Sequence, residues 1–174
     1  MLRKKLKTLA RPKYEIIQPI HYRADVEYLL DKANKLKKRD YTHKDGTKVP
    51  NYKFAHYHDD EIQGFLETMP FLTQCRYRTS FVWLTKNTEL PWHTDKNNKC
   101  AIIWTLASAK DSCTYFRKWK GTYKDALFDT QKEHKVKVGS KDKIMYKISI
   151  VDKDFQWLVN QWETCYKGFK LKRG

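Results

Sequence analysis

No apolar stretch in the 174 residues approaches the roughly 20 consecutive positions that a membrane-crossing helix needs. The opening, residues 1–13, is basic and has no apolar segment behind it of the kind a secretory signal carries, so a cytoplasmic address is expected. Cysteine is scarce: Cys75, Cys100, Cys113 and Cys165 form no Cys-x-x-Cys pair and stand at no zinc-finger spacing from histidine. In a reducing compartment such thiols behave as small core residues, and neither a disulfide nor a structural zinc is expected. Internal repeats and low-complexity segments are absent as well. Acidic residues are few, 20 against 36 Lys and Arg, and the resulting net charge of +16 favours a polyanionic partner or an acidic face on a protein partner. The excess is spread over residues 3–13, 35–39, 117–120 and 132–143, so no continuous binding stripe follows from it.

What is present suffices for one folded domain. Hydrophobic residues at 40% and aromatics at 14% exclude a disordered tail, and 21.0 kDa is too little for two independent cores. The organisation read from the chain is a basic arm, 1–13, with Leu2, Leu6 and Leu9 on one side, followed by a single domain, 14–174. A short strand at 14–18 is stopped by Pro19. Val26, Leu29, Leu30, Ala33 and Leu36 recur at helical spacing over about 25–38, and a turn-rich stretch follows at 40–50. Asp59 or Asp60 caps a second helix bearing Ile62, Phe65, Leu66 and Met69, ended by Pro70.

From Thr73 the period shifts towards two. β-Branched and aromatic runs predict strands near 75–85, 90–93, 99–106, 113–117, 126–129, 135–138 and 144–151, and so an α+β domain built on an antiparallel sandwich or barrel over about 73–151. A C-terminal helix over about 154–166, capped by Asp154, buries Phe155, Leu158, Val159 and Trp162.

The most informative stretch is Leu90-Pro91-Trp92-His93-Thr94-Asp95. Side chains alternate along a strand, so His93 and Asp95 project from one face and both can reach one metal ion. His134, placed just before the strand-like run from Lys135, is the candidate third ligand. Two histidines and a carboxylate on one face of a cation leave three positions open, an arrangement suited to non-haem Fe(II). Lys143, nine residues beyond His134, leads the last strand.

In that order the residues resemble the double-stranded β-helix (jelly-roll, cupin-like) oxygenases that depend on 2-oxoglutarate and Fe(II). Their motif is His-x-Asp, a distal His, then an Arg or Lys for the cosubstrate. The match runs over about 76–150. The lead-in from Leu84 to Asp95 is similar to that of small prolyl-hydroxylase-like and aspartyl-hydroxylase-like members, many from bacteriophages, in which case the address is the host cytoplasm. The resemblance implies helices before and after the sheet, iron on His93, Asp95 and His134, and Lys143 on the distal carboxylate of 2-oxoglutarate. It points to Trp83 and Thr105 as further cosubstrate contacts. Lysine in place of the usual arginine lacks the bidentate fork, and Lys141 and Lys147 stand close by as substitutes. The glycine usual before His-x-Asp is missing, and Asn87 can take the same left-handed conformation.

The function implied is hydroxylation of an amino-acid side chain in a peptide or protein. Two alternatives remain at the level of sequence: a nucleic-acid demethylase or base hydroxylase of the same superfamily, which the net charge admits, and a non-catalytic jelly-roll module of a virus particle. A rival cluster, His56-Tyr57-His58-Asp59-Asp60-Glu61, is better explained by capping the helix that follows. Trp92, and Trp119 within Arg117-Lys118-Trp119-Lys120, are candidates to face a substrate. Oligomeric state is not legible.

Overall fold

The computed structural model describes residues 15–17, 24–42 and 46–166, so the basic arm lies outside the described residues. Eleven strands form two antiparallel sheets among them. The larger has seven strands in the order β1 (Ile16–Ile17), β9 (Asp125–Phe128), β6 (Cys100–Ala107), β11 (Lys143–Ile150), β4 (Tyr77–Leu84), β3 (Lys48–Ala55) and β2 (Arg39–Thr42). The smaller runs β5 (Glu89–His93), β10 (His134–Val138), β7 (Ser112–Phe116) and β8 (Lys120–Gly121).

The seven-stranded sheet is covered on both faces, which is why its central strands read as unbroken apolar runs. On one face Phe81, Trp83, Ile102, Trp104, Tyr146 and Ile148 pack against α1 (Val26–Lys35), α2 (Asp60–Glu67) and α3 (Phe155–Cys165). On the other, Val82, Leu84, Ala101, Ile103 and Met145 meet Leu90, Phe116 and Val136 of the smaller sheet.

Each helix begins where the sequence places a capping aspartate. Asp25, Asp59 and Asp154 accept from the backbone N–H of Tyr28, Ile62 and Trp157, at 2.9, 2.9 and 2.8 Å. Pro70 opens a short 3₁₀ turn, Pro70–Gln74, directly after α2. The antiparallel sandwich with helices at both ends is therefore borne out. One region differs from expectation: 40–50 is not merely turn but carries half of the strand residues of the β2–β3 hairpin, which extends the large sheet at its edge. Its residues are largely polar and exposed, so they carry no strand-like apolar alternation.

Between β4 and β5, Asn87 has φ 55°, the left-handed conformation expected of it, and its N–H donates to the carbonyl of Gly139 at 2.7 Å. That contact ties the turn before β5 to the turn after β10, the two strands that carry the candidate histidines.

Candidate metal centre

His93 ends β5 and His134 begins β10, and the two are direct cross-strand partners. Their rings lie 4.3 Å apart between centroids. Asp95 follows two residues beyond His93, and its backbone N–H donates to the carbonyl of Thr130 at 2.9 Å, pinning the loop after β5 to the loop before β10. One ligand atom from each of His93, Asp95 and His134 lies within 4.8 Å of the others; among the described residues this is the only such cluster of histidine, cysteine and carboxylate.

The orientation of both imidazoles is set by the backbone. Nδ1 of His93 donates to the carbonyl of Pro91 at 2.7 Å, and Nδ1 of His134 to that of Lys132 at 2.8 Å. With Nδ1 as the donor in each ring, Nε2 keeps its lone pair and faces inward, the tautomer a metal ligand requires. The two Nε2 atoms stand 3.7 and 3.9 Å from Oδ1 of Asp95. Burial pushes His134 down to about 4, against the pull of the Asp95 carboxylate, so it is neutral at physiological pH. Burial would raise the Asp95 carboxyl, yet the Lys147 ammonium and the neighbouring groups outweigh it and hold the value at about 2.

A cleft of about 400 Å³ opens over His93 and Asp95, walled by Tyr41, Tyr52 and Phe54 of the β2–β3 hairpin and by Arg78 and Lys147. Lys147 Nζ lies 2.7 Å from Oδ2 of Asp95. In the sequence Lys147 stands only as a substitute for Lys143, and the hairpin wall is not marked. The signal for Lys147 was its parity: it falls on the same face of β11 as Lys143 and Met145.

Lys143 is 1% exposed, in the space between the sheets, with its ammonium 4.3 Å from the centre of the Tyr123 ring. Thr105 pairs with Met145 in the adjacent strand and so shares that inter-sheet face. The hydroxyls of Thr105, Ser112 and Thr114 are all buried there without a hydrogen-bond partner. The structure thus brings Lys143 and Thr105 to one inter-sheet face. Trp83 is not among them, which corrects the expectation: in β4 it is Val82 and Leu84 that face between the sheets, while Trp83 lies with Phe81 on the helix side under the ammonium of Lys38. The rival cluster at 56–61 is occupied by structural work. Asp59 caps α2 and also accepts from Tyr28 Oη, with Lys32 at 3.2 Å, and His56 Nδ1 sits on the carbonyl of Thr79.

No protein-family model and no curated protein sequence matches the chain. Solved structures do. A prolyl hydroxylase from Trichoplax adhaerens, in complex with a peptide fragment of the hypoxia inducible factor oxygen degradation domain, aligns with a TM-score of 0.62 at 11% identity, covering 84% of this chain and 87% of that one. A Pseudomonas putida prolyl-4-hydroxylase gives 0.59 at 9% identity, over 81% and 94%. A viral collagen prolyl hydroxylase from Paramecium bursaria Chlorella virus-1, as its 2-oxoglutarate complex, gives 0.52 at 16% identity, over 81% and 96%. With the two-sheet topology and flanking helices described above, the chain adopts the double-stranded β-helix fold of the prolyl hydroxylases.

Proposed function

We propose that the protein is an Fe(II)- and 2-oxoglutarate-dependent dioxygenase that hydroxylates an amino-acid side chain of a peptide or protein. The observation that carries this reading is the convergence of two inward-facing Nε2 atoms and one carboxylate oxygen, in a domain that also buries a lysine and unpartnered hydroxyls between its sheets. His93, Asp95 and His134 would hold the metal, a donor set that suits ferrous iron and leaves three positions free. The residues between the sheets suit a dicarboxylic 2-oxo acid: the buried Lys143 would supply the cation, and the buried Thr105 and Thr114 hydroxyls have no hydrogen-bond partner. When bound, iron and 2-oxoglutarate supply the oxidising power, coupling conversion of the 2-oxo acid to succinate and CO₂ with insertion of one oxygen atom of O₂ into a C–H bond.

The chain's own residues do the rest. The Pro91 and Lys132 carbonyls fix the imidazole planes, Lys143 would orient the cosubstrate, and the packed sheets keep water away from its ammonium. The cleft walled by Tyr41, Tyr52 and Phe54 presents an apolar surface to an entering side chain, and the peptide complex of the Trichoplax neighbour supports a peptide substrate. On the outer face of the small sheet the Trp92 ring is covered by the Arg117 guanidinium at 4.3 Å, and Lys135 lies 5.0 Å from the Tyr115 ring.

The test is succinate production by the iron-loaded protein with 2-oxoglutarate, and a search of lysate peptides for a gain of one oxygen. His93→Ala and Asp95→Ala should abolish both. Full succinate production by either variant places the reaction elsewhere, and oxidised bases in place of hydroxylated peptides overturn the substrate class.

A further inference from the structure

Resting on the reading of His93, Asp95 and His134 as an iron(II) site, we propose that Lys147 is a positioning residue that confines Asp95 to ligation through a single oxygen and thereby keeps three metal positions open. The two oxygens of Asp95 have divided duties. Oδ1 faces both histidine Nε2 atoms, at 3.7 and 3.9 Å. Oδ2 is turned away from them and taken by two donors, Lys147 Nζ at 2.7 Å and Asn98 Nδ2 at 3.3 Å. A carboxylate free of such restraint can wrap a divalent cation with both oxygens, and that mode would use up one of the positions that cosubstrate and oxygen need.

The restraint has a firm base. Lys147 lies in the middle of β11, which is paired on one side with Ser80 of β4 and on the other with Ile103 of β6. Its side chain is 12% exposed and reaches from the large sheet to the loop that follows β5. Asn98 is held in turn, because its carbonyl accepts from Thr130 Oγ1 at 2.9 Å. A cation fixed in this way beside a dication also lowers the affinity of the centre for the ion, since like charges oppose each other at short range. Lys147 therefore trades metal affinity for open coordination.

The experiment uses manganese(II) alone as probe, on the full chain, and reads affinity and the number of bound waters by water-proton relaxation. The wild type should take one ion with three waters. Lys147→Met should bind at least tenfold more tightly and retain two waters, and Lys147→Arg should restore three. A gain in affinity with loss of one water is not produced by loosened packing, which weakens binding. Should Lys147→Met fail to fold by circular dichroism, Asn98→Ala carries the test, with a smaller tightening of about twofold expected and no change overturning the proposal. Lys147→Met with three waters and unchanged or weaker affinity overturns it, as does unaltered manganese binding joined to loss of 2-oxoglutarate binding, which would make Lys147 a cosubstrate anchor. A wild type that takes no manganese refutes the iron-site reading itself, and the role of Lys147 falls with it.

Discussion

Replacing Lys143 by methionine should stabilise the fold and disable cosubstrate binding. The ammonium is buried, rests on the Tyr123 ring, and has no carboxylate within ion-pair distance among the described residues. Taking a lysine charge out of water costs several kcal/mol even after relaxation. A desolvated cation–π contact returns about 2 kcal/mol. Methionine has a similar length, no charge, and favourable contact with an aromatic ring. The balance is a gain of about 1–3 kcal/mol for Lys143→Met. At about 2–4 °C per kcal/mol for a chain of this size, Tm should rise by about 2–12 °C. The same change leaves a bound dicarboxylate with one end buried and unpaired, which costs about 2–5 kcal/mol of affinity, at least about thirtyfold in Kd. Thermal unfolding with and without 2-oxoglutarate, in the presence of manganese, reads both effects. The wild type should gain stability from the cosubstrate by mass action and the variant should not. A variant that melts below the wild type and still gains from 2-oxoglutarate would refute the reasoning: Lys143 would then hold the fold through Tyr123, with the cosubstrate anchored elsewhere.

Stability should also fall with acid in a window set by His134. Its folded value is depressed to about 4, below the unfolded 6.5, so its contribution is complete above 6.5 and is lost as pH falls towards 4, amounting to about 3 kcal/mol. Urea unfolding at pH 7.5, 6 and 5 checks this, and a slope that survives in His134→Gln assigns it to other groups. Gly139→Ala should destabilise by about 1–3 kcal/mol, because a Cβ there collides with the backbone oxygen and carboxylate of Asp111. Gly64→Ala, in α2 with open space around it, should stabilise by about 0.5–1 kcal/mol. Denaturant midpoints separate the two, and equal shifts would contradict the geometry.

The residues that were legible in the sequence are those governed by alternation within one strand. His93 and Asp95 lie two apart near a strand end, with polar neighbours that make the period plain. The capping aspartates were legible because a cap is a local hydrogen bond, set by residues three apart. Trp83 was misplaced for the opposite reason. β4 is buried on both faces over its last four residues, so no polar position marks which side of the sheet a given residue faces. The β2–β3 hairpin was hidden because polar, exposed residues and Pro50 dominate its first half, so that only Tyr52 and Phe54 alternate, and β3 owes its place in the sheet to pairing with β4, a tertiary fact. Lys147 shares the parity of Lys143 and so was legible as a residue of that face, but its partner Asp95, 52 residues away in sequence, was not.

The two histidines come from backbone of unequal permanence. His134 opens a strand flanked on both sides, opposite His93 and Phe116, whereas His93 closes β5, the outermost strand of the small sheet. Strand ends at a sheet edge open at lower free energy than paired interior strands. A departing ion would therefore lose His93 first while His134 and Asp95 keep their places, and an arriving one would meet a standing pair before the third ligand closes on it. Exchange of the metal is then governed by fraying of a few residues around Trp92 and His93, and the rest of the domain can stay folded throughout.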